Sequence, residues 1–240
     1  TDFTNDGLGM LSFSNELWSG EQYFTSQALK DQQKDPTSPI SPQTSRYFFD
    51  DKLEFGAQYL EWKPFKHPDY GDVEVGGSWS RFTSRVPPVF MLEELCHRNM
   101  AFTLYQADEM PKMEISGAAA EKLDGGVHRI FVDLANPKVT PTILAKAAQN
   151  NVVRPDLLTL EGKSLEVISA SWIDNKETYK LRPTITGFID QKDLKRIIVR
   201  NGFGGRTART IMYLVKGSGD VTVKYDSLKG GTVSKTLKLQ

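Results

Sequence analysis

The punctuation of residues 108–240 constrains the fold most. Seven short β-type runs, at 112–116, 127–134, 164–173, 194–200, 209–216, 221–226 and 231–239, are separated by Gly, Asn, Asp and Pro turns. Strands at such spacing predict an antiparallel β-sandwich of immunoglobulin-like architecture over 108–240. Val127, Arg129, Phe131 and Asp133 alternate with His128, Ile130, Val132 and Leu134. Several positions on both sides are apolar, as expected for a strand between two layers. Gly219-Asp220 and Gly230-Gly231 read as hairpin turns. Trp172 and Tyr213 read as core residues, and only 141–149 reads helical.

Residues 1–107 differ in character and read as a separate α/β part. Leu11, Phe13 and Asn15 alternate with Ser12, Ser14 and Glu16, the period of a strand. Glu16 then stands at a strand end, where apolar neighbours would desolvate it and suit it to accept a proton. Residues 19–30 read as a short irregular or helical piece. Residues 31–45 carry Pro36, Pro39 and Pro42 and read as a mobile surface loop. Asp50 or Asp51 is expected to cap a helix bearing Leu53, Phe55, Tyr59, Leu60 and Trp62, which Pro64 ends. Val73 and Val75 mark a short strand, and 78–86 a loop with Trp79, Arg81, Phe82 and Arg85. Pro87-Pro88 opens a helix to residue 107 that is dense enough in apolar residues to be buried.

Charge and cysteine content remove several function classes. The 30 basic and 30 acidic side chains cancel, so no global field draws nucleic acid, and no basic run would bind an anionic membrane. No apolar stretch reaches the length of a membrane span. The single Cys96 allows no internal disulfide and reads as a buried, inert thiol. Thr1 reads as a processed or trimmed end, with no leader visible.

Phe13-Ser14-Asn15-Glu16-Leu17 resembles the strand that carries the general-base glutamate in zinc carboxypeptidases of the carboxypeptidase A/B type. The phrase from Trp62 to Gly77, WKPFKHPDYGDVEVGG, is similar to a segment of bacterial members that precedes a Pro-started terminal helix, as Pro87 to Ala107 does here. The resemblance covers roughly 1–107. It implies the carboxyl-terminal portion of a catalytic domain, with Glu16 as general base and a peptide or protein as substrate. It also implies a secreted, periplasmic or cell-surface setting.

In that family zinc is held by a His-x-x-Glu pair and a later His, all upstream of the base. Three residues after His67, His97 and His128 stand Tyr70, Met100 and Phe131, so no pair is completed here. The resemblance therefore places the zinc on an upstream part, with no ligands in this chain, and the chain alone is expected to be inactive. His67 reads as a maker of a structural hydrogen bond, His97 as a packing or helix-end residue, His128 as part of the sandwich, and Glu74 as an ion-pair member. The stretch Gly202-Phe203-Gly204-Gly205-Arg206 is no phosphate loop, because Gly-Lys-Ser/Thr is missing. The competing reading is a non-catalytic binding or structural subunit acting through its sandwich in a larger assembly.

Overall fold

The computed structural model describes residues 2–18, 42–80, 85–181, 189 and 191–240. Phe3–Gly7 form a single π-helical turn. Residues 9–18 then run without regular structure, where alternation predicts a strand. A strand needs a neighbour for its N–H and C=O groups, and among the described residues none pairs with this stretch. The expectations for 19–30, 31–41, Arg81 and Phe82 lie outside the described residues, whereas 42–45, expected in the loop, are helical.

Helix α1 spans Pro42–Leu53, earlier than the apolar pattern places it. Phe55 and Gly56 take positive φ, 56° and 75°, and stop the helix. Asp50 is therefore no amino-terminal cap. It lies buried near the carboxyl end and accepts from the backbone N–H of Gln58 at 2.8 Å and of Tyr59 at 3.0 Å. Those bonds turn the chain into β1 (Tyr59–Leu60), β2 (Lys63–His67), β3 (Gly71–Val75) and β4 (Ser78–Trp79). β2 and β3 form an antiparallel hairpin, and β1 pairs antiparallel with β4.

Helix α2 spans Val89–Asp108, close to its sequence-based range, yet none of its residues is buried. Val89, Phe90, Leu92, Met100, Leu104 and Tyr105 are all exposed. Cys96 is exposed too, which corrects the reading of an inert buried thiol. The apolar residues run all round the helix, a pattern that suits burial on more than one side.

The remainder is antiparallel sheet. It comprises β5 (Glu114–Lys122), β6 (Val127–Asn136), helix α3 (Ala145–Asn150), β7 (Asp156–Gly162), β8 (Leu165–Asn175), β9 (Lys180–Leu181), β10 (Arg196–Val199), β11 (Thr207–Gly217), β12 (Gly219–Ser227) and β13 (Gly231–Leu239). One sheet has the order β5-β6-β11-β8-β9, the other β10-β7-β12-β13. The sequence pattern missed β7 and the two-residue β9. The Gly230-Gly231 turn joins β12 to β13 as expected, with Ser227 opposite Gly231. Gly219 is not a hairpin turn, because β11 and β12 belong to different sheets and the chain crosses between layers there.

Alternation decides which side chains fill the space between the sheets. His128, Ile130, Val132, Leu134 and Asn136 are buried on β6, and their neighbours are half-buried. Ile211, Tyr213 and Val215 from β11 and Trp172 from β8 meet Leu158 and Leu160 from β7 and Val221, Val223 and Tyr225 from β12. Phe203 stands edge-on to Trp172 and Tyr225, with centroids 6.2 and 5.4 Å apart. Tyr213 and Trp172 are core residues, as the sequence suggests.

The chain divides into two compact units. Phe13 and the residues before it join Leu104–Gln240 in one, and Ser14–Thr103 form the other. In the first unit the Lys229 ammonium donates to the Gly9 carbonyl, and burial lowers its pKa. The α2 end is tied to the same unit: Lys138 donates to Asp108 at 2.9 Å, and the Val139 N–H to the Glu109 carboxylate at 2.8 Å. No helix among the described residues is long and apolar enough to cross a membrane.

Candidate functional sites

Glu16 lies in a segment held on both sides. Asn15 donates to the Asn99 side-chain oxygen at 2.8 Å, and Asn99 in turn donates to the Leu95 carbonyl at 2.8 Å, so the segment is tied to α2. Two residues on, Trp18 meets buried Phe49 of α1 edge to face, with centroids 5.3 Å apart. Between these anchors Glu16 is exposed. Glu16, Leu17, Trp18 and Arg85 line one cavity of about 430 Å³. The cavity thus has a carboxylate able to accept a proton, a guanidinium able to hold an anion, and an apolar wall. Arg85 was legible only as a loop arginine, because the fold alone brings it to Glu16.

The other residues weighed from the sequence do not join this cavity. The His67 ring nitrogen Nδ1 accepts from the backbone N–H of Asp69 at 3.0 Å and of Tyr70 at 3.3 Å, so it shapes the β2–β3 turn. His97 is exposed on α2 and is not a packing residue. His128 is buried in the sandwich, its Nε2 3.0 Å from the Gln240 carbonyl. Glu74 is exposed on β3 and shows no ion pair among the described residues, contrary to the structural role expected of it. Among the described residues no group of three or more His, Cys, Asp and Glu is placed to hold a metal ion. The residues present therefore do not fit a zinc centre, and a zinc could be held only by residues outside this set.

The glycine-rich stretch after β10 serves packing. A Cβ on Gly205 would lie 1.7 Å from the Val139 carbonyl oxygen. One on Gly202, whose φ is +55°, would lie 2.2 Å from Thr142 Oγ1. The backbone must come this close because Phe203 exchanges hydrogen bonds with Thr142: the Thr142 N–H donates to the Phe203 carbonyl at 2.9 Å, and the Phe203 N–H to Thr142 Oγ1 at 2.8 Å.

A second cavity, of about 900 Å³, opens on the β7–β10 side of the sandwich. Leu157 and Ile198, cross-strand partners on the outward face, form its apolar floor. Arg154, Lys192, Arg196 and Arg200 stand around it. Arg154 is paired with Asp226 at 3.1 Å, whose carboxyl is held below the usual range by the Thr232 hydroxyl and by Arg154. The other three cations have no acidic partner among the described residues. Sequence reading did not find this cluster, because its members are scattered over 154–200 and only the β7–β10 pairing gathers them.

No curated protein matches the chain. A family model spans residues 112–238, from just before β5 to the penultimate residue of β13, and so coincides with the two-sheet sandwich. On that match the chain belongs to the family described as Domain of unknown function (DUF8731).

Proposed function

We propose that the chain is the carboxyl-terminal part of a zinc carboxypeptidase, an incomplete α/β portion followed by an accessory sandwich. The observation that carries this reading is helix α2: twenty residues, apolar all round, none buried. Such a helix belongs inside a larger domain, and the resemblance of 1–107 names the kind of domain. The apolar faces would be covered by the upstream part, which would also supply the zinc ligands.

Glu16 would take the proton of the water that attacks the carboxyl-terminal peptide bond and pass it to the leaving amine. Asn15 and Trp18 would keep it in place, and Arg85 would hold an anionic group of the substrate in the shared cavity. The setting would be secreted, periplasmic or cell-surface, by the same resemblance.

Two measurements on the natural protein test the reading. An intact mass well above 27.0 kDa with about one zinc per chain supports it, and a mass of 27.0 kDa without zinc or a co-purifying upstream chain sinks it. In the zinc-bearing protein Glu16→Gln should lower turnover by about 10²–10⁴-fold while zinc content stays unchanged. Near-normal turnover would remove Glu16 from the chemistry. The cationic cavity favours a second reading, in which the sandwich is a binding module, and this reading holds whether or not the first does.

A further inference from the structure

We propose that the β7–β10 cavity is a docking site for an extended acidic peptide segment, with two carboxylate side chains flanking an aliphatic one. The inference develops the binding-module reading and is independent of the peptidase reading.

Lys192, Arg196 and Arg200 line one cavity with no acidic partner among the described residues. An excess of cations gathered in a concave site favours an anionic occupant. Two carboxylates, Asp156 and Asp193, also border the cavity, so its lining has four cations against two anions. Asp156 shares the inward face of β7 with Leu158 and Leu160 and bonds Tyr225 and Thr142. Asp193 accepts from the Lys195 N–H at 3.0 Å within its own turn. Arginine presents a fork of donors matched to carboxylates, which two oxygens of one acidic side chain can engage together.

The floor decides among anions. Leu157 and Ile198 are aliphatic, and no described residue bordering the cavity is aromatic. Nucleic-acid bases and, by the same stacking logic, sugar rings favour aromatic platforms, so neither finds its usual partner here. An aliphatic side chain between two acidic ones fits the floor and its rim.

Register sets the spacing. Arg196 and Ile198 share one face of β10 two residues apart, and Arg200 follows two residues later. At about 3.3 Å per residue the strand carries the chain roughly 10 Å from Arg196 to Val199, and Arg200 stands just beyond it in the turn that follows. The matching ligand is acidic–x–aliphatic–x–acidic. Gln191 shows how it must lie. Its amide donates to the Ile198 carbonyl at 3.0 Å and accepts the Ile198 N–H at 2.8 Å. Those two bonds take the place of a further strand at the centre of β10. The peptide therefore lies over the face, held by side chains, and is not added to the sheet edge.

The test uses the 240-residue protein and a fluorescent peptide, Gly-Asp-Gly-Leu-Gly-Asp-Gly, titrated by anisotropy. Saturable binding is expected, weakening as salt is raised. Arg196→Ala or Arg200→Ala should each weaken it about tenfold. Replacing the peptide's Leu by Ser should weaken it severalfold. The double variant Arg196→Glu/Arg200→Glu should lose this peptide and gain the version with Lys for Asp, an outcome that an unfolded variant could not give. Absence of saturable binding would overturn the proposal. So would arginine variants that bind unchanged, or a sulfated polysaccharide that binds more tightly than the peptide.

Discussion

Tyr225 donates its phenolic proton to Asp156 Oδ2 at 2.8 Å, and the Thr142 hydroxyl donates to the same oxygen at 2.7 Å. This bonded group ties β12, β7 and the segment before α3 together inside the core. Tyr213 on β11 is equally buried, yet its hydroxyl has no partner among the described residues. The two tyrosines thus do the same packing with opposite polar outcomes.

Substitution by phenylalanine should separate them. Tyr225→Phe removes a donor from a buried carboxylate and is expected to cost about 1–3 kcal/mol. Tyr213→Phe removes a buried hydroxyl that has no protein partner, so stability should stay level or rise by about 1 kcal/mol. Urea unfolding of the two variants reads the contrast directly. Equal losses in both would mean that the Tyr225–Asp156 bond contributes nothing beyond packing.

Alkaline pH should expose the same pair. Burial holds both phenols protonated far above the ordinary range, and at Tyr225 the Asp156 charge acts in the same direction. In the unfolded chain each ionises near pH 10. The folded state therefore binds more protons above that pH, and stability must fall as pH rises. The contribution is whole below about pH 10 and erodes above it, by about 1.4 kcal/mol per pH unit for each tyrosine. Thermal unfolding of the wild type and of Tyr213→Phe/Tyr225→Phe between pH 9 and 11.5 checks this. The double variant should show a shallower decline, and parallel declines would contradict the assignment.

Cys96 reports on what covers helix α2. It is exposed in this chain, so a thiol reagent should label the native 240-residue protein about as fast as the denatured one. If an upstream part covers α2, the same thiol in the natural protein should be protected at least about tenfold until denaturant is added. Fast labelling in both proteins would leave the helix uncovered and would remove the main support for the incomplete-domain reading.

The strands of the sandwich were legible where alternation or a dense apolar run met turn residues at both ends. β6, β8, β11, β12 and β13 meet that condition. β7 was missed, although Asp156, Leu158 and Leu160 lie on its inner face, because Leu157 also interrupts the polar phase and Pro155 precedes it closely. The strand expected at 11–16 had the right period and no partner among the described residues. The helix expected after Asp50 had apolar residues at helical spacing, but Phe55 and Gly56 had already turned the chain, and Tyr59 went into β1.

For the sites, legibility ended where contacts between distant residues began. Glu16 could be singled out from its own segment, but Arg85 stands 69 positions later and reaches the same cavity only through the fold. The cationic cavity had no signature along the chain, since Arg154 and Arg196 become neighbours only when β7 and β10 pair.

The sequence alone determined the local choices: where strands alternate, and where Gly and Pro end them. Those choices follow from backbone sterics and side-chain period, which act over a few residues. Tertiary structure decided which alternating runs found a partner, which phenol met a carboxylate, and which cations were gathered in one cavity. Hydrogen bonding and burial are properties of pairs of surfaces, and a one-dimensional pattern holds only one member of each pair.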